Sequence, residues 1–204
     1  MKPQDIEKRS FEIITEELGA RTFPDGIAEV VKRVIHTTAD FDYADNLTFS
    51  DHAVQKGIAA LKSGCDIVTD TQMAKAGINK TILASLGGEV HCFMSDPDVA
   101  QEARSRGVTR AFVSMEKAAA LEKPCIFAIG NAPTALLSLE QLMEEGKAAP
   151  ALIIGVPVGF VNVEISKERI IEKARAPYIV ARGRKGGSNV AAAICNALLY
   201  QIRR

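Results

Sequence analysis

Few residue types in this 204-residue chain could do chemistry: three histidines, four cysteines, and a basic cluster, Arg182, Arg184 and Lys185, set in a glycine-rich stretch. His36 closes a helical pattern in which Ile27, Val30, Val31, Val34 and Ile35 recur at the three-and-four spacing of one buried face. The histidine falls beside that stripe, in line with Glu29 and Lys32 or Arg33, so its ring is not committed to a core. The dipole at a helix C-terminus favours imidazolium, which makes such a side chain a usable general acid. A surface or capping histidine is the plainer reading, and spacing alone favours it. His52 falls in a polar helix start and His91 alternates within a strand beside Cys92; both read as structural.

The second chemistry is the holding of anions. Thr69-Asp70-Thr71-Gln72-Met73, Gly130-Asn131-Ala132-Pro133-Thr134, Gly155-Val156-Pro157-Val158-Gly159-Phe160 and Arg182-Gly183-Arg184-Lys185-Gly186-Gly187-Ser188-Asn189 each follow a short apolar run. Glycine lets backbone amides come close to a ligand, and a helix start offers unpaired N–H groups, so such turns suit phosphate or carboxylate. A guanidinium adds a two-pronged grip on a carboxylate. One turn of this kind is usually plain strand-to-helix geometry; several at one sheet edge point to a site. None matches a phosphate fingerprint: residues 183–188 are not Gly-x-x-x-x-Gly-Lys-Ser/Thr, and no Gly-x-Gly-x-x-Gly follows a strand. A ligand with several carboxylates therefore fits better than ATP or NAD. The histidines are isolated and the cysteines scattered, so no metal site is expected, and no Gly-x-Ser-x-Gly elbow signals acyl transfer.

These residues must be positioned by regular elements. Helices are predicted over residues 3–18, with Gly19 as a stop, and over 27–38, with Asp25 as a cap. From residue 64 on, short runs of β-formers at 65–68, 90–93, 111–113, 125–129, 152–156 and 178–180 alternate with helical patterns that include 98–105, 134–145 and 189–202. The runs at 125–129 and 152–154 are continuous rather than alternating, as expected of parallel strands covered on both faces. The fold class expected is α/β: a three-layer α/β/α arrangement with a mostly parallel sheet and extra N-terminal helices. Residues 46–51 read as a polar loop, and residues 1–204 as a single domain. In open parallel sheets ligands collect beyond the carboxyl ends of strands, where all four turns fall.

Composition narrows the partners. Lys and Arg total 25 and balance 25 Asp and Glu, so no global field would hold a nucleic-acid backbone or an anionic membrane. Three Tyr, eight Phe and no Trp leave little for base stacking. No apolar run approaches a membrane span and the first residues are polar, so a cytoplasmic protein is expected. Cys65, Cys92, Cys125 and Cys195 lack Cys-x-x-Cys spacing and read as buried free thiols.

Five segments, in this order and spanning almost the whole chain, resemble the precorrin-8X methylmutase family, including its cobalt-precorrin-8 branch. They are Ile6-Glu7-Lys8-Arg9-Ser10-Phe11, Val34-Ile35-His36-Thr37-Thr38-Ala39-Asp40, residues 68–73 with Ala76-Gly77-Ile78, residues 130–134, and the pair 155–160 and 182–189. The resemblance implies an intramolecular transfer of a methyl group from C11 to C12 of a corrin macrocycle, a 1,5-sigmatropic shift giving a cobyrinic acid-type product, with no cofactor. It implies that His36 is the proton donor and acceptor and that Ser10 lies near the ligand. The remaining ligand-holding set it implies is Thr69, Asp70, Met73, Asn131, Thr134, Gly155, Pro157, Gly159, Phe160, Arg182, Gly183, Gly186, Gly187 and Ser188. The partner would be a corrinoid polycarboxylate, and the assembly a homodimer with its site near the subunit interface. Asn162 departs from the pattern where many members have glycine. The resemblance singles out none of Arg104, Arg106 and Arg110. Two rivals stay open on the residues alone: a nucleotide-dependent α/β enzyme using the same sheet edge, and a non-catalytic tetrapyrrole carrier.

Overall fold

The structure, a computed structural model, describes residues 3–173 and 175–202. Four central strands, β2 (Asp66–Thr69), β4 (Cys125–Ile129), β5 (Leu152–Gly155) and β6 (Tyr178–Ala181), are buried over their full length. Their side chains alternate between two cores. Ile67, Ile126, Ala128, Leu152, Ile154 and Ile179 face one; Val68, Phe127, Ile129, Ile153 and Val180 face the other. Continuous apolar runs were the sign of such two-sided burial, and each fully buried Ile or Leu contributes roughly 1.5–3 kcal/mol by leaving water.

The sheet has six strands in the order β1-β6-β5-β4-β2-β3, with β1 (Leu47–Phe49) and β3 (Val90–His91) at its edges. All neighbours run parallel except β1, which is antiparallel to β6. Helices α2 (Ile27–Thr38), α4 (Ala53–Lys62), α5 (Gln72–Gly77), α6 (Lys80–Ser85) and α11 (Ser188–Ile202) share the first core, while α8 (Arg110–Ala119), α9 (Pro133–Glu144) and α10 (Val163–Lys173) share the second. The result is the expected three-layer α/β/α arrangement. α1 (Pro3–Leu18) packs on α2 through Ile14 and Leu18, and α2 packs on α11. Two more helices complete the described set, the one-turn α3 (Tyr43–Asn46) between α2 and β1, and α7 (Pro97–Arg106), which packs on α8 through Val99 and Ala103.

Four local expectations fail, the first three for a plain physical reason. Residues 111–113 form no strand; they lie in the first turn of α8, where Ala111, Met115 and Ala118 share a buried face and Thr109 caps the helix by accepting from the Phe112 N–H. A short apolar run cannot by itself tell a buried helix from a strand. Residues 46–51 are not merely a loop, because β6 supplies the ladder that makes β1 a strand, with Leu47 opposite Ala181. Asp25 does not cap α2: the cap position is Gly26, left-handed at φ 80°, and the Ile27 N–H bonds back to Pro24 O at 3.1 Å. The strand expected at 90–93 stops at His91, and Asn162 is left-handed at φ 60°, a conformation glycine takes freely and asparagine tolerates.

All four cysteines are free and buried. Burial pushes the Cys65 and Cys195 thiols up to about 12 and Cys125 to about 11, from an ordinary 9.0. A thiol kept protonated by the fold but free to ionise when unfolded adds stability that is complete below pH 9.0 and is lost as pH rises through about 11 to 12. Unfolding free energy from denaturant titration should fall across that window, more steeply in the wild type than in Cys195→Ala. Equal slopes would show that Cys195 ionises alike in both states.

Candidate functional site

The strand order reverses between β2 and β4: the chain builds outward to β3 on one side and to β4, β5 and β6 on the other. The crevice at such a switch point is where open α/β sheets collect ligands. Asp70, the first residue after β2, fills it with a carboxylate that is only 1% exposed. Its Oδ1 accepts from the Gly130 N–H at 2.8 Å, and its Oδ2 from Asn131 at 2.8 Å and Ala132 at 2.6 Å. Burial pushes this carboxyl above the usual carboxylate range, and the three amides pull against it. The turn after β4 is therefore folded around an acid supplied by β2.

The turns after β5 and β6 lock onto the same point. Thr71 caps α5 by accepting from the Ala74 N–H, and its hydroxyl lies 2.7 Å from that of Ser188 at the start of α11. A Cβ on Gly130 would lie 2.7 Å from Ser188 Cα and 2.8 Å from Gly187 O, so only glycine lets the two turns touch. Gly187 donates to Val156 O at 2.9 Å, Gly159 donates to Arg184 O at 3.2 Å, and a Cβ on Gly186 would run into Val156 O. From α10, the buried Lys167 donates to Gly183 O at 2.7 Å and Lys185 O at 2.9 Å, and desolvation lowers its ammonium to about 8.

His36 lies on a helix whose end is tied to this edge by a charge clamp. It sits exposed in the last turn of α2, which Ala39 closes in a left-handed conformation. Just beyond, Asp40 and Asp42 each receive Lys185 Nζ at 2.6 Å. Those two hydrogen bonds raise the Lys185 ammonium, and the one to Lys185 lowers the Asp40 carboxyl. The glycine-rich basic loop and the helix end that carries the histidine are thus tied together across some 145 residues of chain. The His36 ring itself stacks on Phe11 of α1, centroids 5.2 Å apart.

The residues singled out from sequence divide by exposure. Thr69, Asp70, Gly155, Pro157 and Gly187 are buried. Asp70 does not offer its carboxylate outward, because both oxygens are occupied by amides, and the Thr69 hydroxyl lies 3.1 Å from Thr71 O and 3.2 Å from His91 O. Asn131, Met73, Phe160 and Arg182 are exposed, while Gly159, Gly183, Gly186, Ser188 and Thr134 are half-buried, Thr134 accepting from the Thr109 hydroxyl at 2.9 Å. Arg184 lies over the Phe160 ring. Arg182 and Arg184 pair with Glu168 and Glu164 at 3.5 and 3.3 Å; exposed pairs of this kind are weak and easily redirected to a ligand. Ser10 donates to Ile6 O at 2.9 Å and is brought next to His36 only through its neighbour Phe11. Sequence reasoning missed Thr71, Asp42, Lys167 and the stacking role of Phe11. Nothing in the spacing of α10 marks Lys167, whereas Phe11 and Asp40 lay inside segments already of interest.

An open, mostly parallel sheet with knitted glycine turns at its switch point defines an α/β protein of the class that collects ligands at the carboxyl edge of its strands. Residues 5–201 match the family described as precorrin-8X methylmutase. The cobalt-precorrin-8 methylmutase of Priestia megaterium is 48% identical over 97% of this chain and 88% of its own. That of Salmonella typhimurium is 47% identical over 99% and 97%. The crystal structure of the Thermus thermophilus precorrin-8X methylmutase superposes with a TM-score of 0.88 at 39% identity, covering 97% of both chains. The chain belongs to the precorrin-8X methylmutase family. It is an isomerase of cobalamin synthesis that shifts a methyl group within its substrate.

Replacing Asp70 by Asn turns one oxygen into an N–H donor facing an amide, with at least one buried N–H left unpaired. Unfolding free energy from urea titration should drop by roughly 1–3 kcal/mol. A variant as stable as wild type would mean that the turn after β4 does not depend on this acid.

Proposed function

We propose that this enzyme moves the methyl group from C11 to C12 of cobalt-precorrin-8, giving a cobyrinic acid-type product, with His36 as proton donor and acceptor. The observation that carries the reading is the Lys185 clamp, which keeps the end of α2 against a loop rich in glycine and arginine. A corrinoid bears a ring of carboxylates, which suits Arg182 and the backbone amides of residues 183–188. Cobalt in the substrate is favoured because relatives bearing the cobalt name run from 37% up to 48% identity, whereas those named precorrin-8X methylmutase are at 39%, 38% and 35%.

The chemistry asks little of the chain. The C11–methyl bond breaks as the C12–methyl bond forms, so the group stays on the ring and no external donor or cofactor is consumed. Proton transfer from His36 to the macrocycle would bias its π-system toward the rearranged isomer, and return of the proton restores the enzyme. Water must be kept out while the ring is charged. Val158, Phe160 and Val161, 47%, 81% and 78% exposed, form an apolar rim beside Gly159 that a second copy would cover, which supports a homodimer with its site near the interface. Buried free thiols fit a reducing compartment, so we place the enzyme in the cytoplasm, working as one domain. Buried Thr69, Asp70, Gly155, Pro157 and Gly187 would shape the turns, while Ser10, Met73, Asn131, Thr134, Phe160 and Arg182 would meet the ligand with the glycine amides.

Given cobalt-precorrin-8 and followed by absorption, His36→Ala should keep product affinity while turnover falls roughly 10²- to 10⁴-fold. Turnover at the wild-type rate would remove His36 from the chemistry. Arg182→Ala should weaken product binding roughly tenfold and slow the bound reaction much less. The reverse pattern would place Arg182 in the chemical step instead.

A further inference from the structure

An exposed histidine at a helix end turns freely about two side-chain bonds, so a proton donor there needs something to fix its ring. Among the described residues the ring partner of His36 is Phe11, at 5.2 Å between centroids and 26° between planes. Phe11 is itself held from α2 and α11. The Arg33 guanidinium lies 4.7 Å from the centre of the Phe11 ring and 5.0 Å from that of Tyr200, and its Nη1 pairs with Glu7 Oε1 at 2.7 Å. Arg33 is well covered, with its side chain 16% exposed. Packing alone would leave Phe11 loose, since a cleft of about 210 Å³ opens along it, lined also by Thr15, Lys32 and Gln201. The first two helices and the last thus meet in one aromatic and cationic stack that ends on the imidazole.

We propose that Phe11 is a positioning residue for the methyl shift: its ring sets the plane of the His36 imidazole, and Arg33, anchored by Glu7 and Tyr200, holds that ring in place. Phe11 touches neither substrate nor the reacting atoms; it acts through His36, and the inference rests on His36 being the proton donor. Misplacing a catalytic group by a fraction of its reach is expensive in rate and cheap in affinity. Phe11 therefore belongs to kcat rather than to KM.

The test compares Phe11→Leu, Phe11→Tyr and Arg33→Met with the wild type on cobalt-precorrin-8, with NMR of the His36 ring protons and thermal unfolding beside the kinetics. In the wild type the stacked Phe11 ring should shift those protons upfield. Phe11→Leu should abolish that shift and lower kcat roughly ten- to a hundredfold, with KM within about twofold. Phe11→Tyr should restore both, and Arg33→Met should give a smaller fall in kcat with broadened ring signals. If Phe11→Leu loses the shift but keeps kcat, the stack is packing only and the proposal is overturned while His36 keeps its role. A rise in KM with kcat unchanged overturns it too, by making Phe11 a substrate contact. If Phe11→Leu does not fold, Arg33→Met decides: an unchanged kcat with sharpened or shifted ring signals overturns the proposal. Failure of the proton-donor reading is separate, since His36→Ala would then turn over normally.

Discussion

The site depends on a carboxylate whose oxygens are taken up by backbone amides. Asp70 is buried at the point where the strand order reverses, and its two oxygens take the N–H groups of Gly130, Asn131 and Ala132. An ionised group without such partners would not survive removal from water. With them, it imposes one conformation on the turn after β4. Gly130 then comes close enough to the 187–188 backbone that a methyl group would not fit, and Thr71 and Ser188 share a hydrogen bond at the same place. The four turns of the sheet edge become one unit because a single acid is satisfied by its neighbour's backbone.

That unit is tied outward by two lysines of opposite character. Lys167 is buried and reads the loop after β6 through two backbone carbonyls, so it fixes shape and leaves the side chains of that loop free. Lys185 is exposed and reaches Asp40 and Asp42, just past the end of α2. An exposed ion pair adds little to stability. Its consequence is geometric, since it holds the helix end that carries His36 against the loop that carries Arg182.

A methyl group that never leaves its macrocycle requires neither a donor site nor a nucleophile, and the chain accordingly spends its polar residues on backbone geometry. The fold shared with the Thermus thermophilus methylmutase supplies the edge, and the stack of Arg33, Phe11 and His36 supplies a second layer of order around the exposed His36 ring.

Much of this was legible in the residues alone. Continuous apolar runs marked β4 and β5, because strands covered on both faces have no polar side to show, and short runs of β-formers marked β2 and β6. Glycine-rich turns after them marked the candidate binding edge, and the stripe from Ile27 to Ile35 showed His36 standing off a buried face. Where a segment takes its structure from a partner, sequence was silent or wrong: β1 exists because β6 pairs with it, and residues 111–113 are helical because α8 packs on α9. The resemblance counted Asp70 among the ligand-holding residues, and the fold turns its carboxylate inward onto three amides. The sequence by itself determined the class of fold and pointed to the carboxyl edge of the sheet, both of which follow from local pattern, whereas His36 as candidate acid rested on the family resemblance. Only the tertiary structure decided that Asp70 organises the turns, that Lys185 joins them to α2 and that Phe11 meets His36, because each is a contact between segments whose separation along the chain carries no periodic signal.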